Sequence, residues 1–153
     1  MTKKEITKFY DSFAGDKYLT EIRRFGLRYD EMVEIAIDLL LLDSPKEILD
    51  IGCGIGNVEQ IIIKRSPKVN ITCVEISSEM LEVAKQKLSP EIKLVNKDIL
   101  DYKSEMKFDA IFSNLAIHNL SLNDKRVLLK KIKEWLKPNG IFIVCSKVTY
   151  VTS

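Results

Sequence analysis

Apolar positions recur at two periods along this chain, and the change of period divides it. Between Asp30 and Leu42, the positions Met32, Val33, Ile35, Ala36, Leu39 and Leu40 are apolar, which is the spacing of one face of an α-helix. Residues 1–45 read as helical throughout. Asp43-Ser44-Pro45 closes that part, because proline disfavours helix in the residue before it. Beyond it the pattern alternates. Glu47–Ile51 is a short apolar run that leads into glycines, and Asn57–Lys64 is helix-like. Asn70–Ile76 is rich in β-branched residues and reads as a strand. A helix over Glu79–Leu88 follows, with Ser77 or Ser78 as its N-cap. Ile92–Val95, Phe108–Ser113 and Ile141–Cys145 read as three more strands. Between the last two lies a long helix capped by Asn123 or Asp124 and ending near Lys137. Its apolar face is Leu128, Ile132, Trp135 and Leu136, and Pro138-Asn139-Gly140 is a turn signal.

Strands that alternate with helices predict an α/β fold: a doubly wound parallel sheet with helices on both faces, preceded by N-terminal helices. The first, fourth and fifth strands are near-continuous apolar runs, as strands buried on both faces are. In such a sheet ligands bind beyond the carboxyl ends of the strands, so candidate chemistry is sought just after each one.

The first strand ends in LDIGCGIGN. Gly52, Gly54 and Gly56 permit a tight turn and close approach of backbone to ligand. The next helix begins with free N–H groups that suit an anion, and Asp50 places a carboxylate, suited to an ammonium, beside the loop. Cys53 in this loop fits as a small residue, and Asn57 follows the third glycine. Together these features match a ligand with an amino acid moiety. Glu75 at the end of the second strand is placed to accept from ribose hydroxyls. Asp98, after the third, can accept from the amino group of an adenine, with Ile99, Ile76 and Met80 as apolar surface for the ring. A nicotinamide dinucleotide site wants G-x-G-x-x-G. Here the third glycine comes one residue early and Asn57 stands in its place, which speaks against that reading.

Composition narrows the field. The chain has 153 residues, room for one domain with one sizeable core. Its net charge of +2 gives no nucleic-acid footprint, so no nucleic acid is expected as a partner. No apolar run is long enough for a membrane span, and MTKKEITKFYDSF lacks the apolar core of a signal peptide, so the expected location is cytoplasmic. The three cysteines Cys53, Cys73 and Cys145 are widely spaced, and His118 lacks ligand-like companions. No disulfide framework and no metal site are expected, and Cys73 and Cys145 read as core thiols.

LDIGCGIGN resembles the first motif of the class I S-adenosylmethionine (SAM)-dependent methyltransferases, a D/E-x-G-x-G-x-G pattern with a Rossmann-like core. Glu75 in VEIS matches that family's ribose-binding acid, and Asp98 in NKDIL its adenine-recognising acid. FDAIFSNLAIHNL is similar to its fourth motif and LKPNGIFIV to the run into its fifth strand. The resemblance spans residues 46 to 147, behind a helical cap of residues 1–45. It implies SAM as cofactor, S-adenosyl-L-homocysteine (SAH) as product, and cofactor contacts from Asn114, Leu115 and Tyr10 besides the residues above. FSNLAIHNL and the early FYDSFA resemble the small-molecule methyltransferases, whose N-terminal helices cover the cofactor, so a small-molecule acceptor is implied. The N/D-P-P-Y/F sequence of amide and exocyclic-amine methylating enzymes is not found. His118, just past the fourth strand, is the candidate general base for an acceptor that must lose a proton. Tyr18 is a second N-terminal candidate to reach the cofactor.

The family sheet has seven strands, whereas this sequence reaches Ser153 just after its fifth, so strands six and seven are expected to be missing. An apolar fifth strand at a sheet edge invites pairing. The expectations are a chain cut short, a homodimer through that edge, or Val148–Val151 folding back. The alternative function is a module that binds SAM or SAH, or a partner subunit, without turnover of its own. Arg23, Arg24 and Arg28 read as a solvated helix face, with an acidic acceptor as the other possibility. Lys130, Lys131, Lys133 and Lys137 read as the exposed face of the long helix.

Overall fold

The structure, a computed structural model, describes residues 3–13, 16–24 and 28–146. Three helices come first: α1 (Lys3–Phe13), α2 (Asp16–Arg24) and α3 (Tyr29–Leu41). Then β1 (Glu47–Ile51), α4 (Asn57–Arg65), β2 (Asn70–Glu75), α5 (Ser78–Lys87), β3 (Lys93–Asn96) and β4 (Phe108–Asn114) alternate. A single 3₁₀ turn (Ile117–Asn119), α6 (Leu122–Trp135) and β5 (Leu136–Cys145) complete the described chain. The five strands form one sheet in the order β3-β2-β1-β4-β5, and all four pairings are parallel. This is the doubly wound sheet that the alternation predicts. The chain winds outward from β1 in both directions, so the crevice between β1 and β4 is the switch point.

Strand periodicity divides the core into two. Ile48, Ala110 and Phe112 face a layer made by α3, α4 and α5, with Val33, Ile37, Leu40, Ile62 and Leu88 among its members. Leu49, Ile51 and Ile111 face the other side, where Leu128, Ile132 and Trp135 of α6 pack with Tyr102. Position 50 therefore shares the face of Ile48, towards the helix layer that contains α4.

Several boundaries differ from the sequence expectation. The cap of α6 is Ser121, whose Oγ accepts from the Asp124 N–H at 3.1 Å, so neither Asn123 nor Asp124 is the N-cap. Ser77 is confirmed at α5, accepting from the Met80 N–H. Pro138-Asn139-Gly140 does not precede the last strand but lies inside β5. Between the pairs Phe108–Leu136 and Ala110–Ile141, the ladder advances two residues on β4 and five on β5. Asn139 takes φ 65° in the resulting bulge, which places the turn residues where the register slips. β5 is also not buried on both faces: its residues are mostly half-buried and Val144 is exposed. It is an edge strand of the sheet, whereas β1 and β4 are buried almost throughout, as expected, and β2 is too. Residues 148–151 lie outside the described residues.

The charged groups are accounted for locally. Arg23 forks onto Asp30, Arg28 pairs with Glu31, and Arg24 lies near Glu21, all exposed. Arg23 and Arg24 lie in the last turn of α2 and Arg28 just before α3, each exposed beside a carboxylate. Lys130 and Lys133 are exposed on α6. Lys131 instead lies over the Trp135 ring and donates to the Tyr102 carbonyl, and Lys137 pairs with Asp109 at 2.9 Å.

Candidate functional site

The largest concentration of candidate residues lies where the sheet topology puts it. A cavity opens at the carboxyl ends of β1 to β4. Its walls include Gly52, Gly54, Glu75, Ile76, Met80, Asp98, Ile99, Asn114, Leu115 and Tyr10. These are ten of the positions that the sequence singled out. Ile6, Tyr18, Lys97, Ile117, Asn119 and Leu120 also line it.

The glycine loop is shaped by close packing. Gly52 has φ 81°, and a Cβ there would lie 2.3 Å from the Ala116 Cβ. Only glycine combines that backbone conformation with that approach. It lets the loop after β1 meet the loop after β4. Gly54, at φ 56°, has the Tyr18 ring as the neighbour its Cβ would reach, at 4.0 Å. Gly56 serves another purpose. A Cβ there would strike Leu88 at 2.7 Å, so the third glycine lets α4 pack onto α5 and does not line the cavity. Asn57 begins α4.

Glu75 is fixed at the end of β2 by two backbone donors. Its Oε2 accepts from the Gly54 N–H at 3.1 Å and its Oε1 from the Ser77 N–H at 2.9 Å. Burial raises its pKa, while those N–H groups pull it down. A carboxylate with two lone-pair directions already used keeps others for a diol. Asp98 is held by its own turn, with Oδ1 accepting from the Leu100 N–H at 2.8 Å. Ile76, Met80 and Ile99 supply the apolar walls nearby. Leu115 adopts φ 52°, an unfavourable conformation for a branched residue. Its N–H is anchored to the Cys145 carbonyl at 2.8 Å.

A second, smaller hollow adjoins the first and shares Gly52, Tyr18 and Asn114 with it; Asp50, Cys53 and Asn57 also line it. Here two buried acceptors, Asp50 Oδ1 and Asn114 Oδ1, have no hydrogen-bond donor. Orphaned acceptors inside a protein cost about 1–3 kcal/mol each, and a ligand with several N–H groups would satisfy them. Asp50 is fully buried among acids. Desolvation, then the neighbouring Glu59, raises its pKa well above the usual carboxylate range. Glu59, in the first turn of α4, is also raised by desolvation. Nothing in the sequence pattern singled out Glu59; its place on the buried face of a helix is visible only once β1 and α4 are packed.

Two helical segments roof the cavity. Tyr10 of α1 accepts from Asn119 Nδ2 at 2.8 Å, and Ser77 Oγ donates to Asp11 Oδ1 at 2.5 Å. Tyr18 stands edge-on to Tyr10, and burial raises the pKa of both phenols, keeping them neutral. His118 lies in the 3₁₀ turn between Ile117 and Asn119. Those two neighbours line the cavity, whereas His118 does not. Cys53 is half-buried, and its neighbour Cys73 and burial push its thiol up, which disfavours the thiolate. Cys73 and Cys145 are buried thiols, and no metal-binding cluster occurs among the described residues.

With this geometry in view, comparison with known proteins decides the family. The model described as "Methyltransferase domain" matches residues 48–140. The chain belongs to that family. Its methyltransferase domain is similar to the malonyl-(acyl-carrier protein) O-methyltransferase of Priestia megaterium, with 38% identity over 94 residues, covering 61% of this chain and 34% of that protein. It is also similar to the demethylmenaquinone methyltransferase of Thermotoga maritima, with 29% identity over 94% of this chain and 62% of the relative. Among solved structures, the plantazolicin methyltransferase BpumL, in complex with a pentazolic desmethylPZN analog and SAH, superposes with a TM-score of 0.73. That match has 21% identity and covers 95% of this chain and 58% of the other, and it supports the Rossmann-like fold. The chain spans 34–40% of the length of the first three curated relatives.

Proposed function

We propose that this methyltransferase domain binds SAM in the cavity at the carboxyl ends of β1 to β4 and presents it to a small-molecule acceptor. The observation that carries the proposal is Glu75. A buried carboxylate is held by the Gly54 and Ser77 N–H groups at the mouth of the glycine loop, where a ribose diol can donate to it. Bonds to an ionised acceptor are worth about 1.5–3 kcal/mol each. Asp98 offers an acceptor at the far wall, and Ile76, Met80 and Ile99 offer apolar surface for a flat ring. Asp50, Asn114, Gly52 and Cys53 form the end suited to an amino acid moiety.

When bound, SAM supplies a methyl group already activated on a sulfonium sulfur. The protein's share of the reaction is then mostly positioning, which can contribute on the order of 7–11 kcal/mol. The roof of Tyr10, Tyr18 and Ile6 excludes water, and the Tyr10–Asn119 bond ties α1 to the loop after β4. An acceptor that must lose a proton requires a base. The candidate is His118, the one histidine of the sequence, between the cavity-lining Ile117 and Asn119. Transfer is a property proposed for the whole protein, because the chain spans well under two thirds of the first relatives.

No described helix is long and apolar enough to cross a membrane. A cytoplasmic location accords with three free cysteines. Homodimerisation along β5 is supported by its position as the outer strand with Val144 exposed. Sedimentation of the wild type beside a Val144→Lys variant tests that part.

Thermal unfolding tests the cofactor reading. A ligand at a hundred times its Kd adds about 2.7 kcal/mol, a rise of about 5–11 °C in Tm for a domain of this size. SAM and SAH are expected to give that shift and NAD none. A shift with NAD alone would replace this reading with a dinucleotide one.

A further inference from the structure

The carboxylate expected beside the glycine loop is not alone. Asp50 is 2% exposed and Glu59 0% exposed, and the two side chains lie within hydrogen-bonding reach of each other. Asp50 Oδ1 and both oxygens of Glu59 find no donor. Two ionised carboxylates are acceptors only, so neither can satisfy the other unless one of them carries a proton. Like charges held dry at that range do not both persist. Among the described residues, the groups that face the pair include no compensating cation. Cys53 faces the pair from the loop, Cys73 and Glu75 from β2, and Tyr18 and Tyr29 from the helices. Every one of these is neutral or acidic.

The two carboxyls are placed differently. Asp50 lines the hollow with Gly52 and Asn114. Glu59 sits behind it on α4 and reaches a ligand only through Asp50.

We propose that Glu59 is a positioning residue that shares one proton with Asp50, so that the pair presents a single negative charge to the ammonium end of the ligand. This rests on the cofactor reading above and deepens it. With Asn114 Oδ1 alongside, an ammonium with three N–H donors meets two otherwise unsatisfied acceptors. Without Glu59, Asp50 would lose its only hydrogen-bonding partner at that end and would keep the proton itself, as an isolated buried carboxyl does. The seat would then be uncharged.

The test compares two probes, SAH and 5′-methylthioadenosine, which lacks the amino acid moiety, titrated into the wild type, Glu59→Leu and Glu59→Gln at pH 7. Glu59→Leu is expected to bind SAH at least about tenfold more weakly and 5′-methylthioadenosine unchanged. Glu59→Gln, whose amide donates to Asp50 in place of the shared proton, is expected to recover SAH affinity to within about threefold. The proposal is overturned if Glu59→Leu binds SAH like the wild type. It is equally overturned if Glu59→Leu loses both probes together, which marks a structural role, or if Glu59→Gln fails to rescue. A wild type that binds 5′-methylthioadenosine but not SAH overturns it as well. A wild type that binds neither probe defeats the cofactor reading itself.

Discussion

Gly52→Ala probes the contact on which the glycine loop depends. The substitution acts twice. It puts a side chain on a backbone at φ 81°, and it sets a methyl 2.3 Å from the Ala116 Cβ, where two methyl carbons require almost 4 Å. The conformational part costs about 1–2 kcal/mol and the overlap about 1–3 kcal/mol. The sum is about 2–5 kcal/mol, a fall of about 4–20 °C in Tm. The two parts separate in a double-mutant cycle. Ala116→Gly removes the atom that the new methyl strikes, and the next Ala116 atom, Cα, is 3.7 Å away, an ordinary contact. Urea denaturation of the wild type, both single variants and the double variant should therefore show a favourable coupling of about 1–3 kcal/mol. Strictly additive costs, within about 0.5 kcal/mol, would refute the claim that this contact sets the loop.

Other predictions address the roof, the buried acids and a half-buried ion pair. Ser77→Ala removes the N-cap of α5 and the tie to Asp11. It should cost about 1 kcal/mol in urea unfolding and speed proteolysis within α1. Asp50 and Glu59 both have raised pKa values, so the folded state binds more protons than the unfolded one above the ordinary carboxylate range. Stability should therefore fall as pH rises from there; Glu59→Gln should flatten that slope and be the more stable protein at pH 8. Asp109 behaves oppositely. Partial desolvation works against its charge, but the Lys137 ammonium and the N–H groups of Glu47 and Lys46 outweigh it and lower its pKa. Its contribution is present above the unfolded pKa and lost as pH falls through the folded one, so Asp109→Asn should lessen acid destabilisation below about pH 4.

Much of this architecture is written in local pattern. Strand and helix periods differ enough that the alternation from Glu47 to Cys145 gives the order of elements, and the glycine loop with Glu75 and Asp98 locates the crevice. What local pattern leaves open is tertiary. Position 50 reads as loop-side acid until the period-two geometry of β1 turns it towards α4, where Glu59 waits. Gly56 looks like its two neighbours in sequence, but its role is decided by Leu88, thirty-two residues on. The Pro138-Asn139-Gly140 turn signal does not end a helix before the last strand; it is absorbed into β5 as a bulge because β4 keeps pairing on both sides of it. His118 belongs to the loop after β4 as expected, but the 3₁₀ turn gives the cavity its neighbours Ile117 and Asn119.

The most direct test of the account is a calorimetric titration of the chain with SAH, SAM and NAD, beside Glu75→Ala. Saturable one-to-one binding of SAH and SAM is expected, with no binding of NAD and loss of at least about tenfold in affinity when the Glu75 carboxylate is removed. A folded chain that binds neither SAH nor SAM, or that binds them equally well without Glu75, would contradict it.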